Sequence, residues 1–149
     1  MDPMTQPAQK KYQAYAAATQ TVAKTKQIVM LYDGIIRFVQ QAKDAISQKR
    51  IEDRYHLLIR ATDIISGLQV CLDFEQGGDI AKVLFNFYAG ISNRIFAIHR
   101  TNSLKECDEV IADLKQMRDV WHEIDQQNTT GGAQGNSDAA ATPPIPSKV

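Results

Sequence analysis

Neither sign of charge predominates in this sequence: lysine and arginine together number 17, and aspartate and glutamate together also number 17. A protein that binds nucleic acid normally has an excess of basic residues, because contacts to phosphates supply much of its affinity. The balance argues against this class of partner, and we expect no nucleic-acid binding.

Cysteine is scarce, and long apolar runs do not occur. Cys71 and Cys107 both lie in apolar helical patterns, which is typical of packed, reduced thiols in a reducing compartment. No run of about 18 apolar residues is present, and residues 1–11 hold no hydrophobic segment of the signal-peptide kind. We therefore expect a cytoplasmic protein without direct membrane insertion.

Apolar residues instead recur at helical spacing over most of the chain. In Ile28–Ile46 they step by four and three, the pattern of a helix buried along one seam, and this first helix covers about residues 21–48. Similar patterns predict helices at about 51–75, 79–100 and 104–125, with Asp79 capping the third and Asn102 or Ser103 capping the fourth. Because the connections are short, we expect an all-α fold, an antiparallel up-down-up-down four-helix bundle.

The two ends of the chain have a different composition. Residues 10–20 carry only Tyr12 and Tyr15 as large side chains, which predicts that residues 1–20 form a flexible segment that packs as a cap on the bundle at 21–125. Residues 126–149 lose all periodicity and are rich in glycine, alanine, serine and proline, which predicts a disordered tail.

Patterns of catalytic or metal-binding residues are weak. Two Asp-x-x-His pairs, Asp53/His56 and Asp119/His122, are similar to the ligand motif of ferritin-like di-iron bundles. In the expected topology the two pairs lie on the order of 20 Å apart along the bundle, too far for one metal centre. We expect no metal, no cofactor and no enzymatic activity, and a ferritin-like metalloprotein is the weaker alternative.

The helices contain more apolar positions than the bundle seams require. An exposed patch built from them would suit an amphipathic partner, whereas the alternative is that they complete an ordinary core or pack under the N-terminal segment. Gly34 and Gly67 lie on the same lines, where another backbone, or a neighbouring helix of the bundle, could approach closely. The surplus positions are Leu31, Phe38, Leu57, Ala61, Ile64, Leu68, Phe85 and Tyr88.

Four sequence pieces occur in a specific order and carry a family resemblance. They are Met30-Leu31-Tyr32-Asp33-Gly34, then Arg60-Ala61-x-x-Ile64-Ile65-x-x-Leu68, then Leu72-Asp73-x-Glu75-x-Gly77-Gly78-x-Ile80-Ala81, and finally Trp121. Over about residues 12–125 the chain resembles the FliS family of flagellar secretion chaperones. The resemblance implies a small non-catalytic helical bundle that binds the C-terminal segment of flagellin and prevents its premature assembly. It also implies contact with a component of the flagellar export gate, and an N-terminal tyrosine segment that covers the client groove.

The residues that we predict to contact a partner combine the surplus positions with the motif residues. The sequence leaves open whether the N-terminal segment is a hinged lid or continuous with the first helix, and whether the free chain forms a weak homodimer. An adaptor for another partner is the alternative function. The predicted partner-binding residues are Tyr12, Tyr15, Leu31, Tyr32, Asp33, Gly34, Phe38, Leu57, Ala61, Ile64, Leu68, Phe85 and Tyr88.

Overall fold

The computed structural model describes residue 10, residues 13–15 and 17–18, and residues 25–134, with side chains as far as Asn128. The continuous part contains four helices, α1 (Thr25–Ser47), α2 (Ile51–Val70), α3 (Phe74–Thr101) and α4 (Leu104–Gln134). The described residues between 10 and 18 are helical as well, and no strand occurs in the part of the chain that the structure describes. The all-helical prediction is confirmed to this extent.

The boundary between α2 and α3 differs from the prediction. Helix α2 ends at Val70 and α3 begins at Phe74, where the carboxylate of Asp73 accepts hydrogen bonds from the N–H groups of Glu75 and Gln76, both at 3.0 Å. Asp73 rather than Asp79 therefore caps this helix, because its extended backbone turns its side chain onto the first free N–H groups.

A break in the helical backbone occurs inside α3, at Gly78. Gly78 has φ of 52° and ψ of −124°, a conformation outside the helical region, and it divides a first helical turn from the rest of α3. A positive φ of this kind strains any residue with a Cβ, so glycine permits the kink.

The turn between α3 and α4 agrees with the sequence pattern. Asn102 has a left-handed conformation at the end of α3, and its N–H donates to the carbonyl of Ile98. The hydroxyl of Ser103 accepts a hydrogen bond from the N–H of Glu106 at 3.0 Å, which caps α4. The prediction that a residue of this pair caps the fourth helix is confirmed.

Helix α1 packs on both α2 and α4, and α3 also packs on both α2 and α4. The start of α1 lies beside the end of α4, where the hydroxyl of Thr25 donates to Asp125 at 2.9 Å. The end of α1 lies beside the start of α4, where Lys43 and Asp108 are 2.7 Å apart. The largest fully buried side chains of the core are Trp121, Tyr15, Tyr32, Tyr88, Phe87, Ile35, Leu58, Ile65, Leu84, Ile95, Ile98 and Leu114.

Helix α4 extends further than the sequence pattern predicts. Its backbone is helical as far as Gln134, whereas the loss of apolar periodicity places the end of the bundle at residue 125. Helical hydrogen bonding does not require an apolar stripe. A prediction based on apolar periodicity therefore ends the helix earlier than the backbone hydrogen bonds do. The predicted tail beyond 134 lies outside the described residues.

Candidate docking face on α1 and α2

The N-terminal segment is anchored at the end of the molecule where α2 meets α3. Tyr15 is almost fully buried, and its ring meets that of Trp121 edge-on with centroids 5.0 Å apart. The carbonyl of Ala18 accepts a hydrogen bond from the N–H of Asp73 at 2.8 Å. The other tyrosine of the predicted cap, Tyr12, lies outside the described residues.

Ala18 fits against Gly77 so closely that no side chain is tolerated there. A Cβ added at Gly77 would lie 2.4 Å from the Cα of Ala18, well inside contact distance. Gly77 is therefore a docking notch for the N-terminal segment, a role that depends on two residues far apart in sequence.

The burial of Tyr15 raises its pKa well above the usual value for a tyrosine.

Helices α1 and α2 share a partly exposed surface, which we call the α1/α2 face. It comprises Leu31, Gly34, Arg37 and Phe38 of α1 and Leu57, Arg60 and Ile64 of α2. A Cβ added at Gly34 would lie 3.5 Å from Cδ1 of Ile64 and 4.0 Å from Nη2 of Arg37. Gly34 is buried, but a Cβ at this position would meet both side chains at ordinary van der Waals distance, so the helix packing here does not require glycine.

Apolar side chains of this face are only partly covered. Leu31 is 41% exposed, while Phe38, Leu57 and Ile64 are half-buried and pack against the core from outside. The guanidinium carbons of Arg37 and Arg60 lie 5.9 and 6.0 Å from the centroid of the Phe38 ring. The surface combines apolar area with positive charge.

A cavity of about 430 Å³ lies at one end of the α1/α2 face. Carboxylates, amides and cations share it with the side chain of Leu57, so its lining is more polar than the rest of the face. Its lining residues are Gln41, Asp44, Arg50, Asp53, His56, Leu57 and Arg60.

Asp33 faces α4 instead of the α1/α2 face. Its carboxylate pairs with Arg118, with Nε and Oδ1 2.9 Å apart, and this contact raises the pKa of the guanidinium. An aspartate on the apolar face of α1 can be identified from sequence, but its arginine partner 85 residues away cannot.

Besides Tyr15, four other predicted partner-binding residues have their side chains in the core. Tyr32 and Ala61 are fully buried, Tyr88 is 1% exposed and Leu68 is 7% exposed. In this arrangement these side chains lie beneath the molecular surface. A binding partner could contact them only after the helices repack. Periodicity correctly finds their apolar environment but does not tell an inner position from an outer one.

Phe85 is exposed, but on a different surface. Its ring meets that of Phe74 with centroids 5.7 Å apart, and Nε2 of Gln69 donates to its carbonyl at 3.3 Å. Sequence reasoning missed several exposed apolar residues on α2 and α3, where Val70 is 81% exposed and Phe96 is 57% exposed. The sequence does contain a signal for these two residues, because both fall outside the lines of apolar positions that are predicted to be buried in their helices.

Two general features bear on the kind of site. Among the described residues, no group of three or more His, Cys, Asp and Glu side chains could hold a metal ion. No helix in that same part of the chain has the length and apolarity needed to cross a membrane.

The helical fold and the α1/α2 face define the general class, a helical protein with a partly apolar surface flanked by cations. Comparison with known proteins identifies the family, because residues 4–128 match the sequence model described as Flagellar protein FliS. The chain belongs to the FliS family.

Three relatives are all named flagellar secretion chaperone FliS. The protein of Campylobacter jejuni is 31% identical over 119 residues, which cover 79% of this chain and 93% of the relative. The protein of Vibrio cholerae is 35% identical over 99 residues, covering 66% and 73%. The protein of Escherichia coli is 26% identical over 117 residues, covering 74% and 86%. The family is thus one of chaperones in flagellar export and not one of enzymes.

Proposed function

We propose that this protein is a cytoplasmic export chaperone that binds the C-terminal segment of flagellin, prevents its premature polymerisation and delivers it to the flagellar export apparatus. The observation that carries the proposal is the α1/α2 face, whose apolar side chains remain partly exposed in a member of a family of secretion chaperones. An amphipathic segment could bury its apolar side chains there.

The proposed scaffold is an antiparallel up-down-up-down bundle of α1 to α4. Its support is the short connection at each turn and the pairing of opposite ends of α1 and α4 through Thr25–Asp125 and Lys43–Asp108. Such a bundle holds α1 and α2 side by side along their length, so the client can be bound over several helical turns.

In the proposed mechanism, Leu31, Phe38, Leu57 and Ile64 make the first contacts with the client. The described part of the N-terminal segment covers apolar surface near Trp121 when no client is bound, with Tyr15 as its anchor. Displacement of this segment would give a client access to surface that is buried in the free protein, including the region of Tyr32 and Tyr88. The loaded complex then contacts a component of the export gate.

Isothermal titration calorimetry with the C-terminal segment of flagellin from the same genome tests the proposal. Ile64→Asp and Leu31→Asp should each weaken binding at least about tenfold, because a carboxylate loses its hydration when the apolar client covers it. Phe96→Asp is the matched control, since Phe96 is also exposed and apolar but lies on α3.

The control variant should bind the segment as the unmodified protein does. Normal binding by folded Ile64→Asp and Leu31→Asp variants would show that the α1/α2 face is not the client site. A complete lack of binding by the unmodified protein would overturn the proposed function itself, and an adaptor for another partner would then be the better reading.

A further inference from the structure

Two arginines of the α1/α2 face share one aromatic ring. The guanidinium carbons of Arg37 and Arg60, on different helices, lie 5.9 and 6.0 Å from the centroid of Phe38. Nη2 of Arg37 also lies 4.0 Å from the position of a Cβ on Gly34, which places this guanidinium next to Gly34 on the face. Both positive charges therefore border the apolar side chains.

These two arginines differ from others in the molecule in what they contact. Arg50, Arg94 and Arg118 each lie within ion-pair distance of a carboxylate. Within the part of the chain that the structure describes, Arg37 and Arg60 form no ion pair, and both guanidiniums lie near the ring of Phe38. Asp53, which lines the same cavity as Arg60, pairs with Arg50 at 2.6 Å.

Covering an arginine with an apolar segment has a cost unless its N–H groups find acceptors. Contact with an aromatic ring supplies some stabilisation but leaves the planar set of N–H donors free. A carboxylate matches that set in geometry and charge. The two guanidiniums thus favour a client with acidic side chains and disfavour one with basic side chains at the same positions.

We infer that the segment bound on the α1/α2 face carries a side-chain carboxylate next to its apolar anchors, and that Arg37 and Arg60 select for it. The inference rests on the proposed function and deepens it, since it specifies the chemistry of the client and not only its apolar character. Apolar contact supplies most of the affinity, while the arginines set the register of the client and discriminate among clients.

The first experiment measures binding of the flagellin C-terminal segment to Arg37→Gln, Arg60→Gln and the double variant at low and moderate salt. The double variant should bind about fivefold to tenfold more weakly, with a smaller dependence on salt. Arg100→Gln is the matched control, because Arg100 is exposed at the end of α3, away from the face. It should leave both quantities unchanged.

A double-mutant cycle then identifies the carboxylate. Each acidic residue of the segment is changed to its amide, and the C-terminal carboxylate is amidated in a separate peptide. One side-chain change should weaken binding to the unmodified protein but cause no further loss with the double arginine variant. Coupling to the terminal carboxylate alone, or to no carboxylate, would overturn the inference while leaving the proposed function intact.

A second probe keeps the inference testable if flagellin does not bind. Three synthetic amphipathic helical peptides share the same apolar residues and carry Glu, Gln or Lys at the flanking positions. The Glu peptide should bind most tightly and the Lys peptide least tightly, and the order should disappear with the double variant. Equal affinities, or no binding of any of the three, would overturn the inference.

Discussion

The hydroxyl of Tyr32 on α1 donates a hydrogen bond to the hydroxyl of Tyr88 on α3, with the two oxygens 2.8 Å apart. Both side chains are almost fully buried, so each hydroxyl depends on the other for compensation of its lost hydration. The pair links two helices that each pack mainly on α2 and α4. It is a polar contact among the mainly apolar side chains of the core.

Removing one hydroxyl of this pair should cost more than removing both. Tyr32→Phe or Tyr88→Phe alone should lower the free energy of unfolding by about 1–2 kcal/mol, because the remaining hydroxyl is left buried without its partner. The double variant should lose clearly less than the sum of the single losses. Urea denaturation followed by circular dichroism measures all four proteins, and strictly additive losses would contradict the interdependence of the hydroxyls.

The buried tyrosines also predict a loss of stability at alkaline pH. Burial raises the pKa of Tyr15, Tyr32 and Tyr88 above the value of about 10 that applies in the unfolded chain. Above that pH the unfolded state loses protons that the folded state retains, so stability is complete below about pH 10 and falls as the pH rises further. Unfolding free energies measured between about pH 8 and 11 should show this fall, with a smaller slope in Tyr15→Phe.

Gly77→Ala should displace the N-terminal segment from its notch. The added Cβ would meet the backbone of Ala18 at 2.4 Å, and the clash cannot be relieved by rotating a flexible side chain. Loss of Tyr15 from the ring of Trp121 should then shift the fluorescence of this single tryptophan to the red and speed proteolysis at the N-terminal segment.

Gly90→Ala provides the control for the glycine experiment. A Cβ at Gly90 has no neighbour within 4 Å, and the residue lies in the interior of α3. This variant should keep the fluorescence of the unmodified protein and gain up to about 1 kcal/mol from the higher helix propensity of alanine. Identical spectra for both variants would mean that Ala18 does not rest against Gly77 in solution.

Arg94 holds α3 to α4 through two carboxylates, Glu106 and Asp113, each 2.6 Å from a guanidinium nitrogen. The side chain of Asp113 is only 9% exposed, so Arg94→Met leaves a nearly buried charge without its partner. We expect a loss of about 2 kcal/mol in the free energy of unfolding, measured by urea denaturation. Arg50→Met should change it by less than about 0.5 kcal/mol, because the Arg50–Asp53 pair is exposed to solvent. Equal losses in the two variants would refute this distinction.

The two cysteines should differ sharply in reactivity. Cys71 is exposed in the turn after α2, contrary to the packed position that its sequence pattern suggests, whereas Cys107 is fully buried. Burial also raises the pKa of the Cys107 thiol to about 11. With a thiol-specific reagent at about pH 8, the folded protein should react rapidly at one site, and the second site only after unfolding. Rapid reaction of folded Cys71→Ser would contradict the burial of Cys107.

Helix periodicity predicts most of this fold because each helix buries a stripe at fixed spacing. Ile28, Tyr32, Ile35, Val39 and Ala42 all lie buried, as their four-three spacing indicates. The start of α3 was missed because Asp73 and Asp79 both have the chemistry of a cap. Asp73, the residue that caps α3 in the structure, also donates its N–H to the carbonyl of Ala18. That residue lies 55 positions earlier in the chain.

The candidate site could be predicted only in outline. Sequence spacing places Leu57, Ala61, Ile64 and Leu68 on one line of α2, yet Leu57 and Ile64 are half-buried while Ala61 and Leu68 are buried. The spacing of residues fixes their angle around a helix axis, but the neighbouring helices determine how much of that arc is covered. The approach of Arg60 to the ring of Phe38, which lies on the other helix, likewise depends on contacts between helices.

The position of α1 between α2 and α4 has a consequence for synthesis of the chain. Thr25 reaches its partner Asp125 across a separation of 100 residues, so the apolar flank of α1 that faces α4 stays uncovered until α4 has been synthesised. A nascent chain ending after α3 would expose this flank to solvent and be prone to aggregation. Ribosome-bound fragments truncated before α4 should therefore recruit general folding factors, and fragments that include it should release them.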